Sequence, residues 1–129
     1  MCIRDSPITV LESVTTPSGI LEMQEAVNSI YVDSLIREYI VKLTESTRSH
    51  PEVYLGASPR ASLGLFKTAR ALALIRERDY VIPDDVKFLA PTVLSHRIIL
   101  APSARMQGIR SMDIVDNLLS ELAIPGIAS

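Results

Sequence analysis

The segment at residues 56–61 combines residue types that could bind an anion. Ser58 and Pro59 are typical of the N-cap and first position of an α-helix, which puts Arg60 at the second helical position. A cation there is unfavourable by about 0.3–1 kcal/mol, because a helix N-terminus already carries partial positive charge. Free backbone N–H groups beside a guanidinium nevertheless suit a phosphate. The pattern leaves two interpretations open: a phosphate site at Ser58, Pro59 and Arg60, or an Arg60 side chain that simply points to solvent or pairs with an acid.

Other residues that could do chemistry lack suitable partners. His50 and His96 have no Ser or Cys at a spacing typical of nucleophilic catalysis. Asp84 and Asp85 could ligate a metal, but they fall in the first turn of a predicted helix, where the helix dipole favours acids. Cys2 is the single cysteine, which excludes an internal disulfide, and no Cys/His cluster has zinc spacing. We therefore predict no metal site.

Five amphipathic helices are predicted to position the phosphate site. Their starting signals are Ser18, Asp33, Ser58-Pro59, Pro83 and Ser111, and two extended stretches are expected at residues 53–55 and 98–100. Pro91 should kink or split the fourth helix. The third helix should run from Pro59 to about Arg78 and be the most buried, because Leu65, Ala69 and Leu72 form an apolar stripe.

Composition supports a helical protein with an aliphatic core. Hydrophobic residues make up 47% of the 129 residues, whereas aromatic residues make up 5% and tryptophan is absent. A net charge of -2 disfavours binding to nucleic acid or to an anionic membrane. No apolar run reaches the roughly 18 residues of a membrane span, and no signal peptide is evident, so we predict a cytoplasmic protein.

Residues 56–100 closely resemble the lid of MoxR-family AAA+ ATPases. The resemblance depends on the Gly-x-Ser-Pro-Arg-Ala motif at 56–61, the Val-x-Pro-Asp-Asp-Val motif at 81–86 and the His-Arg pair at 96–97. Weaker similarity extends it to about residues 7–126. We therefore expect a lid domain at 7–126, a foreign leader at 1–6 and a short tail at 127–129.

The resemblance implies an all-α AAA+ lid bundle of four to five helices with short extended segments. It implies that Arg60 is the sensor 2 arginine, which touches the γ-phosphate of ATP bound with Mg²⁺ and couples hydrolysis to lid movement. Ser58 and Pro59 would lie on the phosphate side of the nucleotide. The implied partners are the protein's own AAA+ core domain, neighbouring subunits of a homo-oligomeric, chaperone-like ring, and von Willebrand factor A-domain proteins. Whether Arg60 serves its own subunit or a neighbour stays open.

The sequence lacks the Gly-x-x-x-x-Gly-Lys-Ser/Thr phosphate loop and a strand ending in a Mg²⁺-binding acidic pair. We therefore expect these residues to be the C-terminal part of a longer chain and to be inactive as an ATPase alone. One alternative is a stand-alone helical protein-interaction module without nucleotide function. Another is a helical DNA-binding domain, which the net charge disfavours.

Overall fold

The computed structural model describes residues 11–124, which form a helical bundle with one small two-stranded antiparallel sheet. The elements in chain order are α1 (Pro17–Ser29), α2 (Ser34–Ser49), β1 (Val53–Leu55), α3 (Pro59–Ile75), α4 (Pro83–Leu94), a 3-10 turn (Ser95–Arg97), β2 (Ile99–Leu100), α5 (Pro102–Met106) and α6 (Ser111–Glu121). The predicted all-α bundle with short extended segments is confirmed. Within the described residues it has six helices rather than four or five, because α5 lies in a stretch expected to be a linker.

The core is aliphatic, as the composition predicts. α3 packs against α1, α2 and α4, while α6 packs against α2 and α4. The largest apolar side chains that are fully buried come from four helices: Ile40, Leu43, Leu65, Val86, Leu94, Ile114 and Val115. None of the helices between residues 11 and 124 has both the length and the apolar character needed to cross a membrane.

The buried face of α3 differs from the predicted stripe. Ala61, Leu65, Ala69 and Ala73 are fully buried and recur every fourth residue, whereas Leu72 is only partly buried. Small alanines on this face let the neighbouring helices approach closely, and Leu72 lies to one side. The expectation that α3 is the most buried helix is also wrong, because α2 contributes six buried residues and α3 four.

Helix starts agree with the sequence signals to within two residues. Asp33 caps α2 as predicted, and its carboxylate accepts from the Leu35 N–H at 2.8 Å. Thr16 rather than Ser18 caps α1. Arg110 rather than Ser111 is the N-cap of α6, because the Asp113 carboxylate accepts from the Arg110 N–H at 3.1 Å. The other boundary calls, at residues 1–10 and 125–129, lie outside the described residues.

Proline within α4 does not split the helix. Pro91 lies inside Pro83–Leu94, and the Ser95 N–H donates to the Pro91 carbonyl where the helix ends. The missing proline N–H therefore removes one hydrogen bond from the helix without ending it.

A buried carboxylate joins the end of α3 to the start of α4. The Asp85 side chain is fully buried, and its Oδ1 accepts from Arg76 Nη1 at 3.0 Å and Arg78 Nη2 at 2.6 Å. Its Oδ2 accepts from the Ile82 N–H at 3.1 Å. The hydrogen bond that Arg78 donates to Asp85 raises the pKa of the Arg78 guanidinium. Asp85 is therefore a structural ion-pair partner and not just an acid placed for the helix dipole.

The two-stranded sheet brings together segments that are distant in sequence. β1 and β2 are antiparallel, with Val53 opposite Leu100 and an irregularity between Val53 and Leu55. The Ala101 N–H extends the pairing by donating to the Glu52 carbonyl at 2.8 Å. The two-stranded sheet therefore joins the segment that enters α3 to the segment that leaves α4.

Candidate functional site

The first turn of α3 has the predicted register. Ser58 is the N-cap, with an extended backbone at φ -79° and ψ 165°, Pro59 is the first helical residue, and Arg60 is the second. The Ser58 hydroxyl, however, makes no capping hydrogen bond. The Ser58 residue therefore occupies the predicted position without supplying the predicted side-chain cap.

Arg60 lies at the surface of this turn. Its side chain is exposed, and the first turn of α3 contains no acidic residue. In the part of the chain from 11 to 124, the ion pairs are made by Arg76, Arg78 and Arg110, and none involves Arg60. Pairing of Arg60 with an acid is therefore not observed within that range. An unpaired guanidinium beside a helix N-terminus is suited to binding an anion.

The entry to this turn is held by the C-terminal end of α2. The Ala57 N–H donates to the Thr47 Oγ1 at 2.9 Å, and the Arg48 Nε donates to the Ala57 carbonyl at 2.9 Å. Ala57 is fully buried, so these bonds pair both of its backbone polar groups away from water. The last turn of α2 therefore fixes the backbone three residues before Arg60.

Two buried threonines form the inner part of this connection. The Thr47 hydroxyl donates to the Thr44 carbonyl at 2.6 Å, and the Thr44 hydroxyl donates to the Ile40 carbonyl at 2.9 Å. Sequence reasoning missed the role of Thr47 because it treated these positions only as the end of an apolar stripe. The available signal was the spacing, since Thr44 and Thr47 continue the face that carries Ile40 and Leu43.

Gly56 allows the close approach of this segment to α2. A Cβ at Gly56 would lie 2.6 Å from the Arg48 Cγ, 2.7 Å from its Cα and 2.8 Å from its backbone N. Two of those atoms belong to the backbone and cannot rotate away. A side chain at position 56 would therefore push the entry of α3 away from α2.

We predict that Gly56→Ala destabilises the protein by about 1–3 kcal/mol, as overpacking of a tight contact does. The free energy of unfolding in urea measures this. Gly64→Ala is the matched control, because its Cβ would meet only the Val93 Cγ1, at 3.8 Å, within α3. Alanine there should be neutral or stabilising, since it favours helix. Equal stability of the Gly56→Ala protein and the wild type would show that the contact is not restrictive.

Known proteins are similar to this chain in sequence and in fold. The family model described as AAA lid domain matches residues 45–118, which include the α2 connection and Arg60. The uncharacterized protein YeaC of Bacillus subtilis is 43% identical over 122 residues, covering 95% of this chain and 38% of that protein. Chaperone MoxR1 of Mycobacterium tuberculosis is 34% identical over 125 residues, covering 90% of this chain and 33% of that protein.

The fold is also similar to that of a solved structure. The crystal structure of a candidate ATPase from Cytophaga hutchinsonii superposes with a TM-score of 0.80 and 32% identity, covering 83% of this chain and 35% of the other. The chain thus spans roughly a third of the length of these relatives. On the family match and the shared fold, the chain belongs to the AAA lid domain family and is related to the MoxR chaperones.

Proposed function

We propose that this domain is the lid of a cytoplasmic MoxR-type AAA+ ATPase, and that Arg60 is its sensor 2 arginine. In this proposal the AAA+ core binds ATP with Mg²⁺, and Arg60 reaches the γ-phosphate from the first turn of α3. The observation that carries the proposal is the exposed Arg60 side chain at a helix N-terminus with no acid in the same turn. Ser58 and Pro59 begin that turn and lie on the phosphate side.

The electrostatics of the first turn of α3 support a role for an anion at this position. α4 and α6 have acidic residues in their first turns and α1, α2 and α5 have none, whereas α3 has no acid and carries a cation, Arg60, at its second position. A phosphate beside the first turn of α3 would supply the negative charge that the helix dipole favours and would bind the guanidinium fork. The local arrangement is therefore unfavourable without a ligand and favourable with one.

The connection to α2 explains how phosphate contact could move the whole lid. Ala57 is bonded on both sides to α2, and α3 packs against three other helices. A pull on Arg60 would therefore be transmitted to the body of the bundle instead of bending one turn.

In the complete protein, we propose contacts with its own core, with neighbouring subunits of a homo-oligomeric ring, and with von Willebrand factor A-domain proteins. Arg60 would act on the nucleotide of its own subunit or of a neighbour.

Nucleotide selectivity tests the proposal. In an intact ATPase chain that contains this lid, Arg60→Ala should leave the affinity for ADP unchanged, because ADP has no γ-phosphate. It should weaken binding of a non-hydrolysable ATP analogue roughly 10-fold or more if the charge-assisted bond already exists in the ground state. Isothermal titration with both nucleotides measures this. Arg37→Ala, an exposed arginine on α2, is the control and should change neither affinity. Equal weakening of ADP and the analogue would contradict γ-phosphate sensing.

A stand-alone interaction module is the second candidate, and α1 favours it. This helix has no buried residue, and it exposes 60% of Leu21 and 54% of Met23. Exposed apolar side chains on one helix are typical of a surface that meets a partner. A phosphate-loop core in the same reading frame would decide for the lid, and its absence would favour the module.

A further inference from the structure

The position of Arg60 depends on α2 more than on the cap of its own helix. Ser58 makes no side-chain cap, so the first turn of α3 is not fixed by its own hydroxyl. On the N-terminal side of Arg60 the nearest buried residue is Ala57, whose N–H donates to Thr47 and whose carbonyl accepts from Arg48. On the C-terminal side, Ala61 packs into the core. The segment that enters the first turn of α3 is therefore fixed by two consecutive side chains at the end of α2.

We propose that Thr47 is a positioning residue for Arg60, fixing the first turn of α3 through the Ala57 N–H. This inference rests on the proposed role of Arg60. The Thr47 hydroxyl is fully buried and uses its proton for the Thr44 carbonyl, so its oxygen is oriented to accept from Ala57. One hydroxyl thereby joins the backbone of α2 to the backbone that enters α3.

Loss of that hydroxyl should displace the turn because the Ala57 N–H has no water to turn to. Ala57 is 0% exposed, so its amide can recover a partner only if the segment moves. Arg48 then holds the segment from the carbonyl side alone. A shift of about 1 Å in a group that contacts the reacting phosphate can lower turnover by up to roughly 100-fold. The effect would reach the nucleotide through Arg60 and through no atom of Thr47.

A double-mutant cycle in an intact ATPase chain carrying this lid tests the proposal. The variants are Thr47→Val, Thr47→Ser, Arg60→Ala and the double variant Thr47→Val/Arg60→Ala, with kcat and KM for ATP measured separately. Thr47→Val keeps the shape but removes the hydroxyl, and we expect kcat to fall on the order of 10-fold. Thr47→Ser keeps the hydroxyl and should retain most of the wild-type kcat. The double variant should be no slower than Arg60→Ala alone, since residues that act as a unit are not additive.

The outcomes separate this inference from the proposed function. Wild-type turnover and affinity in Arg60→Ala would overturn the sensor role and this inference with it. An impaired Arg60→Ala protein beside an unimpaired Thr47→Val protein would overturn this inference alone. This inference is also overturned if Thr47→Val lowers kcat by the same factor in the Arg60→Ala protein as in the wild type. Thr47 would then act independently of Arg60.

A second variant covers the case in which Thr47→Val does not fold. Arg48 is exposed, so Arg48→Met removes the Nε donor to Ala57, keeps an aliphatic stem and leaves the core intact. We expect a smaller loss of kcat in the same direction, absent when Arg60 is already alanine. Full turnover in Arg48→Met, or a loss that persists in the Arg60→Ala background, would overturn the positioning of Arg60 by α2.

Discussion

Replacing Arg60 with alanine in an intact ATPase chain should lower kcat/KM for ATP roughly 10- to 150-fold, the loss expected from one charge-assisted hydrogen bond to phosphate. If that bond strengthens in the transition state, kcat falls. If it is equally strong in the ground state, KM rises instead. Steady-state phosphate release over a range of ATP concentrations separates the two. Position 60 is exposed, so the substitution should change the free energy of unfolding by no more than about 0.5 kcal/mol.

Lysine at position 60 is the sharper comparison. Arg60→Lys keeps the charge but loses the planar fork that binds two phosphate oxygens, so we expect only partial recovery of turnover. Arg37→Ala removes an exposed arginine from α2 and should retain wild-type kinetics. Normal affinity and turnover in a well-folded Arg60→Ala protein would reject the sensor assignment and leave the lid a mechanical element.

The second large effect is on stability. Leu65→Ala should lower the free energy of unfolding by about 2–5 kcal/mol, because truncation of a buried leucine removes apolar burial and leaves a cavity. Leu65 is 0% exposed and lies on the face of α3 that also carries Ala61 and Ala69. Those alanines have little side chain with which to fill the space, so we expect a value in the upper part of the range. Urea unfolding followed by circular dichroism measures the change.

Leu72→Ala is the matched substitution on the same helix. The Leu72 side chain is only partly buried and already contacts water, so its truncation should cost clearly less than that of Leu65. If the two variants lose equal stability, the Ala61–Leu65–Ala69–Ala73 face is not the one that anchors α3 in the core.

Local signals were sufficient to predict the register of the first turn of α3. Ser58 and Pro59 marked the start of α3, and the structure has Arg60 at the second position as expected. Asp33 marked α2 equally well. Such signals work because an N-cap and a first-turn proline depend on backbone conformation within a few residues. The function of Arg60 stays a prediction, since the proposed phosphate ligand would be bound by a part of the protein outside these residues.

Contacts between elements could not be predicted from the same patterns. Arg76 and Arg78 are separated by Glu77, whose φ of 56° reverses the chain at the end of α3 and allows both arginines to reach Asp85. A left-handed backbone conformation is uncommon outside glycine, asparagine and aspartate, so the sequence did not predict this conformation at Glu77. The bond between Thr47 and Ala57 likewise depends on how α2 meets the next segment. Periodicity identifies buried positions but not the partners of the polar groups among them.

The pairing of β1 with β2 has a consequence that we expect to see in the rate of unfolding. The two strands flank α3 and α4 in the sequence, so their pairing closes a loop that contains both helices. Loop closure is entropically unfavourable until α3 and α4 have docked and shortened the distance to be spanned, so we expect the strands to pair after the helices have packed. Interactions made after the transition state slow unfolding without speeding folding, and we therefore expect the strand pair to lower the unfolding rate more than it changes the folding rate.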